Sequence, residues 1–241
     1  MNSSSRQDFA TTRWSIVRAV RHNSSQTSRV ALAELCKQYW SPVYAFIRRR
    51  GKSTTDAEDL TQAFFVHLLD TEFVQTADRD RGRFRSYLLK SVTHFLSQNH
   101  RTNRAKKRGG DVDILPLDFS NGEAAYCLEP ADSGTAEQLF ERRWALTLLA
   151  NVTEALQNEY TEKNHGLLFE CLEPQINQEA SRVPYAQLAQ RLEMTEDAIK
   201  QATRRLKIRF RELLRTEIAH TVESAEMVDD ELRQLMTSLA R

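Results

Sequence analysis

The chain has 241 residues, 28% of them charged, and a formal net charge of +1. This length allows one large domain or two small ones, and the balanced charge excludes a uniformly basic nucleic-acid binder. The total conceals a segregation. Residues 81–108 hold nine Lys/Arg and no Asp/Glu, residues 111–141 hold eight Asp/Glu and no Lys/Arg, and residues 200–215 hold seven Lys/Arg against one Glu. A polyanion responds to those local blocks, because fields decay within about 8–10 Å in physiological salt.

Gly and Pro are few, and β-branched alternation is almost absent, so the chain is predicted to be all-α. Cys36, Cys127 and Cys171 are odd in number and lack CxxC spacing, which predicts neither a disulfide framework nor a zinc site. No cofactor or metal is expected. The first residues have no apolar signal core, and no apolar run approaches the ~18 residues of a membrane span. A cytoplasmic protein without membrane contact is the expectation.

Residues 1–28 read as a polar extension in which Trp14, Val17 and Val20 fall at helical spacing behind Thr12. A helix is predicted over 29–50, with Leu32, Leu35, Tyr39, Val43, Phe46 and Ile47 on one face. Gly51 ends it, and Pro42 within it predicts a kink or a break. Thr55-Asp56-Ala57-Glu58 has the form of a capping box. The helix it opens would bury Ala57, Leu60, Phe64 and Leu68 and expose Glu58, Asp59 and Gln62.

The polar turn at 76–82 leads to a further helix, FRSYLLKSVTHFLSQNHR, with Phe84, Leu88, Val92, Phe95 and Leu96 inside. Residues 109–135 are rich in Gly, Pro, Asp and Ser and read as an acidic linker, in which Ile114, Leu115, Leu117 and Phe119 offer local docking points. A second helical domain is predicted from 136 to 222. In it Trp144, Leu148, Val152 and Leu156 step by four, a short helix covers 167–172, and Pro174 stops that helix. Residues 223–241 form an amphipathic tail with Val228, Leu232, Leu235 and Leu239.

The stretch PYAQLAQRLEMTEDAIKQATRRLKIRFRELL predicts a helix pair. Pro184 suits a helix start, and Tyr185, Leu188, Ala189 and Leu192 form the first inner stripe. Glu193 and Met194 make the turn, and Thr195 caps the second helix ahead of Glu196 and Asp197. Ile199, Ala202, Leu206, Phe210 and Leu213 then point inward, leaving Lys200, Gln201, Arg204, Arg205 and Lys207 outward. Such a pair can lay its second helix in the major groove. Lys200, Gln201 and Arg204 are candidates for base edges, and Arg205, Arg209 and Arg211 for phosphates. A solvated charged face is the competing reading, and Glu193 stands where such turns often have Gly.

Taken together, AEDLTQAFF, RGRFRSYLLKSVTHFLSQNHR, an acidic linker and a C-terminal helix-turn-helix resemble a bacterial RNA polymerase sigma factor. The similarity is to the extracytoplasmic-function type, in a long-linker subgroup with a C-terminal extension, and covers about residues 30–108 and 140–216. It implies a region 2-like domain over 29–108 and a region 4-like domain over 136–222, joined by the acidic linker. It implies that Glu58, Asp59 and Gln62 face the coiled coil of the polymerase β′ subunit, with the β subunit also a partner. It implies promoter DNA as a ligand: the helix-turn-helix on the −35 element, and Arg83, Arg85, Tyr87, Lys90, His94 and Arg101 on the opened −10 strand. Aromatics that stack bases beside cations that hold phosphates suit that role.

Two departures from the family's pattern stand out. Ala63 replaces a usual acidic residue, and Tyr87 replaces a usual Trp and stands between a core and a base-stacking role. The linker has three readings: a solvated tether, a polyanion in a basic polymerase channel, or a segment folded back on the two basic blocks. An anti-sigma protein is an open partner. The tail after Glu223 either takes the place of one or completes the second core.

The alternative reading is a stand-alone helix-turn-helix regulator, which would dimerise on paired half-sites. An enzyme is not expected and no catalytic residue is assigned, since the six His lie far from any HExxH and no P-loop or GxSxG is present.

Overall fold

The computed structural model describes residues 25–69, 83–103, 123, 126–127, 134–176 and 183–240. Among these the secondary structure is helical throughout, with no strand. The helices are α1 (Ser25–Arg49), α2 (Thr54–Leu69), α3 (Phe84–Asn103), α4 (Ala136–Glu162), α5 (Gly166–Leu172), α6 (Tyr185–Leu192), α7 (Glu196–Ala219) and α8 (Val228–Leu239). Short 3₁₀ turns precede α6 and α8, at Glu173–Gln175 and Ala225–Met227. The N-terminal pattern of Trp14, Val17 and Val20, the turn at 76–82, and Ile114, Leu115, Leu117 and Phe119 lie outside the described residues. So do the side chains of Leu32 and Arg101, although both sit on described helices.

The chain divides into two compact units. One comprises Met1–Thr147 with Ile218–Arg241, the other Leu148–Glu217. The boundaries differ from those expected. The first part of α4, up to Thr147, belongs to the first unit, and so does the tail from Ile218 onward, which therefore completes the first core and not the second.

In the first unit α1 starts earlier than predicted and runs unbroken through Pro42. Proline removes one backbone bond, but Tyr39, Trp40, Val43, Tyr44, Phe46 and Ile47 on either side are all buried, and that apolar burial outweighs one lost bond. Gly51, at φ +81°, ends α1 as its freedom in the left-handed region allows. The cap of α2 lies two residues before the expected one. The Ser53 hydroxyl accepts from the Asp56 N–H at 3.1 Å and donates to the Asp56 carboxylate at 2.8 Å. Thr54 is thus the first helical residue, and Glu58 falls beyond the cap. Of the four residues expected inside, Ala57, Phe64 and Leu68 are buried and Leu60 is half-buried; Thr61 and Phe65 are buried as well.

The centre of this unit is aromatic. Tyr39 meets Phe84 edge-on at 5.3 Å, Phe64 meets Phe95 at 5.7 Å, and Phe46 meets Phe140 edge-on at 6.4 Å. These pairs tie α1 to α3, α2 to α3, and α1 to the start of α4, the geometry that ring quadrupoles favour.

The second unit has its own core of Leu156, Phe169, Cys171, Leu172, Leu188, Ala189, Ile199, Ala202 and Leu206. Asn164 ends α4 in the left-handed region at φ 58°, where Asn is tolerated, and the His165 N–H returns to the Tyr160 carbonyl at 2.8 Å. The buried Gln175 amide donates to the Val183 carbonyl at 2.9 Å and so holds the start of α6.

Candidate nucleic-acid interface

In the second unit α6 and α7 form the predicted helix pair. Leu188 and Ala189 of α6 and Ile199, Ala202 and Leu206 of α7 are buried, while Tyr185, Leu192, Met194, Phe210 and Leu213 pack against them. The turn is tight. Glu193 adopts φ 52°, and the Met194 N–H reaches the Ala189 carbonyl at 3.0 Å, a helix C-cap normally built on Gly. The Thr195 hydroxyl accepts the Ala198 N–H at 3.2 Å, so the predicted N-cap is formed.

That arrangement exposes Lys200, Gln201, Arg204 and Arg205 along α7, whereas Lys207 is half-buried. The Lys200 ammonium bonds to Asp197 at 3.0 Å, and this bond, then the Asp197 charge, raises its pKa. Arg209 is already committed. Its Nη2 and Nε reach the two Glu159 oxygens at 2.6 and 2.9 Å, and its Nη1 reaches Glu212 at 3.0 Å. Those bonds raise its pKa and, in turn, hold the Glu159 carboxyl below its usual range. Arg209 is therefore first a clamp between α4 and α7.

In the first unit Tyr87, Lys90 and His94 step by three and four along α3 and share a face. Lys90 and His94 are exposed. Tyr87 is half-buried beside Phe84 at 6.1 Å between ring centroids, and burial raises its phenol pKa.

Arg85 departs from expectation. It is 2% exposed, and its Nε and Nη2 meet the two Glu231 oxygens at 2.6 and 3.1 Å. It also pairs with Glu141, and its guanidinium lies 4.9 Å over the Trp144 ring. Arg83 bonds to the same Glu231 at 2.8 Å and is largely covered. As folded, Arg85 faces α8 instead of solvent and Arg83 is half-buried beside it, because a carboxylate on α8 competes with water for both. Burial works against the charge of Arg85, but the bonds to Glu231 and then to Glu141 outweigh it and raise its pKa.

On α2, Asp59 is exposed, Glu58 and Gln62 are half-buried, and so is Ala63. Asp59 and Gln62, three residues apart, lie on one side of the helix.

Sequence reasoning missed the carboxylates that organise this unit. Glu231 is 0% exposed yet sits in register with Val228 and Leu235 on the apolar stripe of α8. A charge on an apolar stripe was a readable signal. Glu123 bonds to Arg48 at 2.8 and 3.0 Å and to the Tyr44 hydroxyl, and Tyr126 lies under the Arg48 guanidinium at 4.9 Å. The bonds from Arg48 hold the Glu123 carboxyl down at about 2. Beside it, Arg49 donates to the Gly134 carbonyl and Arg50 to Glu137. Nothing in residue spacing alone joins 123 to 48. Among the described residues, no group of His, Cys, Asp or Glu is arranged to hold a metal ion, and no helix is long and apolar enough to cross a membrane.

Residues 35–106 match the family model of sigma-70 region 2, and the matched segment lies within the first unit. No curated protein and no solved structure gave a match. The region 2 match supports a sigma-70 family factor, with a role in promoter recognition and RNA polymerase binding.

Proposed function

We propose that the protein is a promoter-specificity subunit of bacterial RNA polymerase, of the compact extracytoplasmic-function type with a long linker and a C-terminal extension. The observation that carries the reading is the region 2 match at 35–106 in the same chain as a capped helix pair whose second helix exposes Lys200, Gln201, Arg204 and Arg205.

In this reading the first unit docks on core polymerase, on the β′ coiled coil and the β subunit, through Glu58, Asp59 and Gln62. Short carboxylate and amide groups on a rigid helix suit charge-assisted bonds to arginines of a partner helix. The region 4-like pair lays α7 in the major groove of the −35 duplex. Lys200, Gln201 and Arg204 reach base edges, and Arg205 takes phosphate. Tyr87, Lys90 and His94 line the path of the opened −10 strand, the ring to stack on a base and the cations to hold its phosphates. The protein needs no cofactor of its own and works in the cytoplasm, where polymerase and promoter are. An anti-sigma partner is an open part of this reading.

The test is transcription in vitro from a library of random promoters with purified core polymerase, with and without the protein. Protein-dependent enrichment of a two-part motif is the expected result. Retained DNA binding without protein-dependent transcripts would replace the proposal with a stand-alone helix-turn-helix regulator.

A further inference from the structure

We infer that α8 is a cis-acting lid on the arginine pair Arg83/Arg85, and that its docking and the binding of a nucleic-acid phosphodiester at those arginines are mutually exclusive. The inference rests on the reading of the first unit as a strand-binding domain.

The first ground is where Glu231 sits. The buried face of α8 comprises Val228, Glu231, Leu235 and Ser238, so a fully buried carboxylate lies between the apolar Val228 and Leu235. A helix that only completed a core would do better with Leu there, because replacing a buried ion pair by apolar groups is commonly neutral or stabilising. Glu makes docking conditional. Without the guanidinium groups the buried charge is untenable, and without Glu231 two covered cations lose their main partner.

The second ground is what Glu231 occupies. It meets Arg85 through two parallel N–H···O bonds of 2.6 and 3.1 Å and Arg83 through one of 2.8 Å. A fork-shaped donor offered to two oxygens recognises carboxylate and phosphate by the same geometry, so Glu231 fills the place that a phosphodiester would take. The backbone adds to the closure: the Phe84 N–H, an orphan donor of the first turn of α3, is taken by the Thr221 carbonyl at 3.0 Å, just ahead of α8.

The third ground is position. Arg83 and Arg85 flank the start of α3, one face of which carries the half-buried Tyr87 and the exposed Lys90 and His94. A strand running along that face reaches the two arginines only if α8 has left them.

The test compares the full chain with Glu231→Gln and with Asp230→Asn, which removes a charge from the exposed side of the same helix. Binding to a fluorescent single-stranded DNA of random sequence is read by anisotropy at low salt. Glu231→Gln is expected to bind roughly fivefold tighter or more, since Arg83 loses its Glu231 partner and Arg85 keeps Glu141 alone, while Asp230→Asn shifts affinity by less than about twofold. Equal affinities, or no binding by either variant while far-UV circular dichroism shows the helices retained, would overturn the lid. If Glu231→Gln unfolds, hydrogen exchange on the unaltered chain decides. Faster exchange at 228–239 on saturation with DNA supports the lid, and unchanged exchange overturns it. Transcription by the unaltered chain with core polymerase is read alongside, so that a failed lid with retained transcription leaves the proposed function standing, and absent transcription removes that function instead.

Discussion

The Glu123 carboxylate closes on the Arg48 guanidinium through two bonds of 2.8 and 3.0 Å, with the Tyr44 hydroxyl donating to the same carboxylate. Glu123 is therefore held to the C-terminal end of α1. Among the described residues of the acidic segment, Glu123, Gly134 and Glu137 meet Arg48, Arg49 and Arg50, a run that lies outside the two basic blocks at 81–108 and 200–215.

This attachment has a pH signature. The folded Glu123 carboxyl lies at about 2, below an unfolded glutamate near 4.3, so its contribution is present above the unfolded value and lost as pH falls towards the folded one. The melting temperature of the unaltered chain should exceed that of Glu123→Gln most above about pH 5, and the gap should shrink as pH falls towards 2. A gap independent of pH would show that the bond adds nothing through its charge. Because both partners are partly exposed, the gap is small, on the order of 1 kcal/mol or less.

Glu193 holds the turn of the helix pair at φ 52° with a side chain that disfavours that conformation. Glu193→Gly removes the left-handed strain of about 1–2 kcal/mol and costs about 0.5–1 kcal/mol in chain entropy, a net gain of up to about 1.5 kcal/mol. Thermal unfolding should show a higher midpoint, with DNA binding unchanged. A lower midpoint would mean that the Glu193 side chain contributes more than its backbone strain takes away.

Arg204 and Arg209 lie on the same helix and should behave differently. Arg204 is exposed, and Arg204→Ala should weaken binding to a selected −35 duplex by about 1–3 kcal/mol and relax the preference at one base pair. Arg209 is held by Glu159 and Glu212, so Arg209→Ala should lower stability by about 0–1 kcal/mol and change sequence preference little. Competition binding with a mutated duplex series reads both effects, and identical profiles for the two variants would remove Arg204 from the base-reading role.

Asp59 is exposed on α2 with no structural duty evident from its surroundings. Asp59→Ala should leave helicity and melting unchanged and weaken capture of core polymerase by about tenfold, or about 1.4 kcal/mol. Full affinity in the variant would move the contact to another face of the first unit.

Periodicity made most helices legible. The three-and-four stepping of Phe84, Leu88, Val92 and Phe95, and of Ile199, Ala202 and Leu206, predicted buried faces that the structure has, because one apolar stripe per helix is a local property of sequence. Caps were less legible. Ser53 and Thr55 both begin an S/T-x-x-acid pattern, and only packing decides which of the two starts, two residues apart, the helix takes. Pro42 carried a breaking signal that buried neighbours on both sides overrode.

The helical class, the turn and register of the α6–α7 pair, and the stripe of Tyr87, Lys90 and His94 are legible along the chain. Each depends on residues a few positions apart. Which cations remain available is set by packing across the fold. Arg83 and Arg85 looked as free as Lys90 until Glu231, 146 residues beyond Arg85, met them, and Arg48 looked unremarkable until Glu123 did. Charge counting along a chain cannot rank these arginines, because a guanidinium is spent or free according to the carboxylate that folding brings within 3 Å of it, and that proximity is set by the packing of whole helices.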